Sequence, residues 1–418
     1  MPADAVREIK QRGLRAATFG FEGLGASIES KSINDEKGAR DFLLAKGINA
    51  KVAEYKGGKR LAFRDFHAPP VLGEVRQDIE KASSPEKPVD SVSRCDVLSV
   101  FFNHFPTWID TRGNRLGDFL RRNGIEHDFF FTRHETSEQD IEKAIEASKC
   151  KVFFNELAVT RPHIIEALAV KFPSVKFVSI YHAAPNYSSD TADWKERTFG
   201  ALLSSARHSN VFAATVMPAD RFNDFKGAQV ISLPNFFELP EGIDVPPRGD
   251  RPFTLSVVGR RDVVKGTGAA ISTLCRLHQE RDDIAALLIS NQFADAERAR
   301  IAYEKVNASF VKWGDWQGYL QLIANTVDVG LQYSLTESFN LIALEHLSLG
   351  KPVIGSHAIE YLPKAWQINP QDPKAGAVVA DKIFDNLEKE SEKAKRLASR
   401  ISRKINKEFL TNLKRLLD

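Results

Sequence analysis

Two carboxylates eight residues apart, Glu337 and Glu345, lie in the stretch YSLTESFNLIALEHLSLGKPVIG at 333–355. An apolar strand there gives way to a short loop and then to a helix. The pattern predicts a helix starting near Ser338, with Glu337 just before it and Glu345 two turns inside. A helix N-terminus offers unpaired N–H groups and partial positive charge, which suits a phosphate. Carboxylates on either side of that point accept hydrogen bonds from sugar hydroxyls, at about 1.5–3 kcal/mol for each charge-assisted bond. A capped helix with a solvated face explains the same residues equally well. The second constellation is VVGRRDVVKG at 257–266, where a strand runs into Gly259 and Lys265-Gly266 opens a helix. It lacks the GxxxxGK[ST] of a Walker A loop. Arg260 by its fork and Lys265 as a point charge can still meet two phosphates, with Arg261 a weaker substitute for Arg260. The third is His182, at the end of a strand in FVSIYHAAPNY (177–187). Alone it reads as a histidine in a polar loop.

Strand–helix alternation must position these residues. Residues 1–67 read as a small α/β module: a strand at 14–21, a helix at 36–46, and strands at 48–55 and 60–66 around the turn Lys56-Gly57-Gly58-Lys59. Residues 68–94, rich in Pro, Ser, Glu and Lys, read as a linker. Near-continuous apolar strands alternate with helices over 95–240 and again over 251–380, which predicts two parallel sheets covered on both faces. The Pro/Gly segment EGIDVPPRGD (241–250) joins them. Two doubly wound domains so joined face each other across a cleft lined by strand C-termini. Residues 381–418 carry Leu397, Ile401, Ile405, Phe409, Leu413 and Leu416 at helical spacing, an amphipathic helix expected to pack across both domains.

Composition bounds the function. The 418 residues are 43% hydrophobic and 27% charged, with a net charge of +3, so overall charge selects no partner. No apolar run is long enough to span a bilayer, and the first residues show no signal-peptide core; a cytoplasmic protein is expected. Cys95, Cys150 and Cys275 form no CxxC pair, which argues against a disulfide framework or a cysteine zinc site. No GxGxxG follows a strand, which argues against a nicotinamide enzyme.

The segment at 333–355 resembles the E-x7-E signature of family 4-type retaining glycosyltransferases, down to the GKPVIG strand. The "GR…KG" spacing of Arg260 and Lys265, the strand-end His182 and the Leu233-Pro234-Asn235 element also match that family. The resemblance spans roughly 96–418 and is stronger in its second half. It implies a GT-B fold, two Rossmann-like domains facing a cleft, here with the extra N-terminal module. It assigns Glu337 to the donor sugar and Glu345 to the nucleotide ribose. The N–H groups of Phe339, Asn340 and Leu341 fall to the diphosphate, beside Arg260 and Lys265, with Gly259 and Ser338 also among the donor-binding residues. His182 falls near the transferred sugar. Asn340 stands where the family has glycine; asparagine is the best substitute if a positive φ is needed there. Gly355-Ser356-His357-Ala358-Ile359-Glu360 replaces the family's Gly-Gly turn, with His357 and Glu360 either lining the pocket or ordinary loop residues.

The activity so implied is glycosyl transfer with retention, from a nucleotide sugar such as a UDP- or GDP-sugar. The acceptor is unidentified, with a glycan or lipid-linked glycan favoured. No cofactor is expected, and the lack of a DxD motif gives no sign of an obligatory metal. No obligate protein partner is indicated. Three other readings stay open. Lys56, Lys59, Arg60, Arg64, Arg112, Arg115, Arg121 and Arg122 could bring a hydroxylated DNA base to the cleft, or form solvated faces. Leu116, Phe119 and Leu120 among those arginines, or the basic Arg396, Arg400, Arg403, Lys404 and Lys407, could hold the protein peripherally at a membrane surface. The chain could also be a non-catalytic nucleotide-binding α/β protein, although an intact Glu337, Glu345, Arg260 and Lys265 argue against decay.

Overall fold

The computed structural model describes residues 91–102, 113–132, 137–156, 159–181, 192–216, 227–259, 263–290, 298, 300–301, 304–312 and 316–418. Residues 15–16, 28–30, 50–55 and 58–63 are described as backbone. These last form strands β1 (Arg15–Ala16), β2 (Ile28–Ser30), β3 (Ala50–Tyr55) and β4 (Gly58–Phe63) of an antiparallel sheet ordered β1-β2-β4-β3. The expected hairpin is present but tighter. Tyr55 pairs with Gly58, so Gly58 and Lys59 belong to the strand rather than to a four-residue turn. The helix expected at 36–46 and the linker up to residue 90 lie outside the described residues.

The next sheet contains β5 (Val97–Phe102), β6 (His127–Thr132), β7 (Val152–Glu156), β8 (Lys176–Tyr181), β9 (Val211–Thr215) and β10 (Val230–Ser232). All are parallel, in the order β10-β9-β8-β7-β5-β6. Helices α1 (Leu116–Arg122), α2 (Glu138–Ser148), α3 (Pro162–Lys171) and α4 (Ala192–Arg207) connect them. Apolar residues on both faces of each strand explain the parallel arrangement. Phe153 of β7 joins Leu98, Val100 and Phe177 on one side, while Val152 and Phe154 join Val97 and Val178 on the other. Leu116, Phe119 and Leu120 of α1 are buried in the second of these cores. The expectation that they touch lipid is therefore wrong: their helix spends its apolar face on the sheet.

The third sheet contains β11 (Phe253–Val258), β12 (Ile284–Ile289), β13 (Asn307–Val311), β14 (Val329–Gln332), β15 (Val353–Ser356) and β16 (Gln367–Ile368). It too is parallel, ordered β13-β12-β11-β14-β15-β16. Strand order reverses between β11 and β14, and ligands of doubly wound folds bind outside the strand C-termini at such a switch point. Helices α5 (Thr267–Glu280), α6 (Trp316–Thr326), α7 (Leu341–Ser348), α8 (Pro373–Phe384) and α9 (Leu387–Leu417) complete this half.

The helix expected to run unbroken through 381–418 is two. The backbone breaks at Asp385-Asn386 between α8 and α9. Over its 31 residues α9 ties the two large sheets together. Its first half packs Ala394, Leu397, Ala398, Ile401 and Ile405 into the core of the third sheet. Its last turns pack Phe409, Leu413 and Leu416 into the core around Leu116 and Val97. The chain crosses between the sheets beside it. Asn406 Oδ1 accepts from the Phe237 N–H at 3.0 Å, and its Nδ2 donates to the Phe237 carbonyl at 2.8 Å. Ser402 Oγ donates to the same carbonyl at 2.7 Å, and Asn412 Nδ2 to that of Ser232 at 2.7 Å. Phe236 and Phe237 on this crossing point into opposite cores.

Candidate active site

The loops leaving β11 and β14 meet at the switch point. After β11 the chain makes one turn of 3-10 helix (Val263–Lys265) and enters α5 through Gly266. Gly266 has φ +62°, and a Cβ there would lie 2.2 Å from the Tyr333 carbonyl oxygen at the end of β14. Only glycine fits both the backbone angle and the approach. The Leu335 N–H donates to the Val264 carbonyl at 2.7 Å, which joins the two loops directly.

This contact brings Lys265 to Glu337. Lys265 Nζ donates to Glu337 Oε1 at 2.6 Å, Ser334 Oγ donates to the same oxygen at 2.7 Å, and Asn340 Nδ2 at 3.0 Å. The Glu337 side chain is only 7% exposed, against 25% for Lys265. A buried carboxylate needs such partners, and three donors satisfy it.

Helix α7 starts at Leu341, three residues later than expected, so Glu345 lies little more than one turn inside it. The cause is Asn340. Its φ is −85°, so it does not replace glycine at a positive φ. It is the N-cap: Asn340 Oδ1 accepts from the Ala343 N–H at 2.8 Å. Its Nδ2 reaches back to Glu337 and to Gln332 Oε1 at 3.2 Å, and Gln332 Nε2 donates to the Val258 carbonyl at 2.9 Å. One side chain thus starts the helix and orients the glutamate. The first-turn N–H groups at Leu341 and Ile342 have no intrahelical acceptor, as at any helix start.

Glu345 is buried at the back of the same helix. Trp316 Nε1, at the start of α6, donates to its Oε1 at 2.8 Å. Burial pushes the carboxyl up to about 7, while the Trp316 N–H, the Arg115 charge and the Tyr319 hydroxyl pull it down. The adjacent His346 is fully buried, with Nε2 2.8 Å from Ser256 Oγ and Nδ1 2.8 Å from the Ile342 carbonyl. Burial lowers it to about 4, so it is a neutral core histidine.

Of the residues singled out from sequence, Gly259, Lys265, Glu337, Ser338, Phe339, Asn340, Leu341 and Glu345 lie around this switch point. His182, Arg260 and Arg261 lie outside the described residues. His357 is exposed, with Nδ1 3.0 Å from Gln367 Oε1, and Glu360 is also exposed. Sequence reasoning missed Gln332, Ser334, Trp316, Tyr319 and Tyr361, whose ring lies 5.3 Å from that of Phe339. Only Asn340 carried a local signal, an asparagine directly before an apolar helix. Three of the arginines proposed for an anionic partner have partners within the chain: Arg121 with Asp118, Arg122 with the Glu238 carboxylate, and Arg115 with the Glu238 carbonyl; Arg64, Arg112 and the side chain of Arg60 lie outside the described residues.

No family model matches the chain, and no curated protein matches it. Solved structures do. Sucrose-phosphate synthase from Thermosynechococcus elongatus superposes with a TM-score of 0.54 at 18% identity, covering 78% of this chain and 96% of that one. The α,α-trehalose 6-phosphate synthase from Burkholderia multivorans gives 0.54 at 14%, covering 78% and 99%. The fold is GT-B. The pneumococcal O-GlcNAc transferase GtfA gives 0.47 at 15% identity, covering 64% of this chain, which spans 56% of that protein. The GT-B arrangement accounts for α9 returning to the first large sheet and for a switch point that faces the other domain. Among the described residues, no helix is long and apolar enough to cross a membrane.

Proposed function

We propose that this chain is a retaining glycosyltransferase that moves a glycosyl group from a nucleoside diphosphate sugar to a glycan or lipid-linked glycan. The observation that carries the reading is the meeting of Lys265 and Glu337 at the β11/β14 switch point, beside the start of α7 and with buried Glu345 behind it. The similar fold of two synthases that make sugar phosphates is consistent with it.

In this reading the diphosphate lies against the N–H groups opening α7, with Lys265 shared between phosphate and Glu337. As the glycosidic bond breaks, negative charge grows on the diphosphate. Lys265 and the helix N-terminus stabilise that charge, with Arg260 assigned the same role from the family pattern. Glu337, held by three donors, orients the sugar hydroxyls. Glu345 accepts from the ribose. The two carboxylates are not an acid and nucleophile pair, because each has a binding task. His182 is assigned to the transferred sugar.

A thermal-shift panel of UDP-, GDP- and ADP-sugars tests the reading. One donor should stabilise the protein, by about 2.7 kcal/mol at a hundredfold excess over Kd. Lys265→Ala and Glu345→Ala should each remove most of that shift and of the transfer rate. Wild-type donor binding and rate in both variants would overturn the site.

A further inference from the structure

Beyond the Lys265–Glu337 pair, Arg115 and Trp316 make a contact between the two large domains. Arg115 precedes α1 in the first of them. Its Nη2 donates to the Glu238 carbonyl, on the crossing segment, at 3.1 Å. Its guanidinium carbon lies over the Trp316 ring, in the second domain, 3.8 Å from the centroid. On its edge the same indole donates Nε1–H to Glu345 at 2.8 Å. A cation from one domain, an aromatic ring and a buried carboxylate of the other thus form a chain of three. We infer that Arg115 and Trp316 are positioning residues for Glu345, and that Arg115 makes the state of this glutamate depend on closure of the domains.

A guanidinium prefers an aromatic face, and the contact strengthens when water is excluded. Trp316 is 8% exposed and Arg115 half-buried, so the indole side of the contact is shielded from water. The indole N–H holds one oxygen of the carboxylate and fixes its rotamer, beside the Tyr319 hydroxyl. The positive charge of Arg115 favours the ionised carboxyl, against a burial that alone drives it neutral. The other titratable groups facing Glu345 are the Tyr319 and Tyr361 phenols, which burial and the nearby carboxylates keep protonated. Arg115 is therefore the cation that domain opening would withdraw. The ribose-binding carboxylate would then gain a proton and lose its function near neutral pH.

This inference rests on the proposed role of Glu345, and the experiment separates the two. UDP and GDP affinities are measured by calorimetry from pH 6 to 9 for wild type, Arg115→Gln, Arg115→Lys and Trp316→Phe. If Arg115→Gln raises the carboxyl by one unit, affinity falls about tenfold at pH 6 and by less than about twofold at pH 9. Arg115→Lys keeps the charge and should restore the wild-type profile. Trp316→Phe keeps the ring but loses the N–H, and should shift the profile in the same direction as Arg115→Gln. A loss in Arg115→Gln that is equal at every pH, or no loss at pH 6, would overturn the inference. If neither nucleotide binds wild type at any pH, the proposed function of the site fails instead. The chain of three is then tested without nucleotide by the infrared carboxyl band of Glu345, assigned by subtracting Glu345→Gln. Its midpoint should move upward in Arg115→Gln, and an unmoved midpoint would refute the coupling.

Discussion

At the scale of single residues, this site keeps two buried glutamates by different means. Glu337 is satisfied by Lys265, Ser334 and Asn340. Glu345 has the Trp316 N–H and a more distant charge, and its carboxyl sits at about 7. A carboxyl raised from 4.5 in the unfolded chain to about 7 in the folded one binds more protons when folded. Its cost to stability is absent below pH 4.5 and complete above about 7. Glu345→Gln should therefore stabilise the nucleotide-free protein by about 3 kcal/mol at pH 8, with the gain vanishing towards pH 4.5. Denaturant unfolding at the two pH values reads this directly; an equal change at both would refute the burial cost. Such a cost fits a residue kept for binding rather than for folding.

At the scale of elements, the site depends on how two loops are allowed to touch. Gly266 is the residue through which α5 starts against the end of β14. Gly266→Ala meets both a left-handed backbone and a carbonyl contact, so it should cost at least about 2 kcal/mol. It should also separate Lys265 from Glu337 and weaken donor binding more than Gly268→Ala, where a Cβ meets nothing within 4 Å. Thermal shift with and without donor compares the two. Asn340 adds the second constraint, capping α7 while holding Glu337. Pattern and spacing located strand, loop and helix within a few residues: 254–259 was expected where Phe253–Val258 is found. They misplaced the start of α7 because the apolar run extends back to Phe339, which packs against Tyr361 outside the helix. Periodicity registers apolar residues but not where a side chain replaces the next backbone hydrogen bond.

At the scale of the whole molecule, α9 and the crossing at Phe237 hold the two large sheets in one arrangement. The Phe237 carbonyl accepts from both Asn406 and Ser402, and the Phe237 N–H donates to Asn406, so Asn406 serves both groups of this peptide. Asn406→Ala should thus cost about 1–3 kcal/mol, and Ser402→Ala less, in denaturant unfolding. Asn406→Ala should also loosen domain closure, read as a larger radius of gyration in solution scattering. Equal stability of the two variants would show that the crossing is not held by this amide. If Arg115 reports closure to Glu345, Asn406→Ala should in addition shift the pH profile of nucleotide affinity in the direction of Arg115→Gln.

The sequence alone determined the two parallel α/β units and the amphipathic end of the chain, which follow from local periodicity that a linear chain carries in full. Family resemblance singled out Glu337, Glu345 and Lys265 one by one. The tertiary structure decided what each of those residues touches. Glu337 and Lys265 are 72 positions apart and become neighbours because β11 and β14 pair at the switch point and Gly266 admits the contact. Glu345 meets Trp316 across 29 residues and Arg115 from the other domain. No spacing rule encodes such pairs, since burial and charge act through space and depend on how the sheets are brought together.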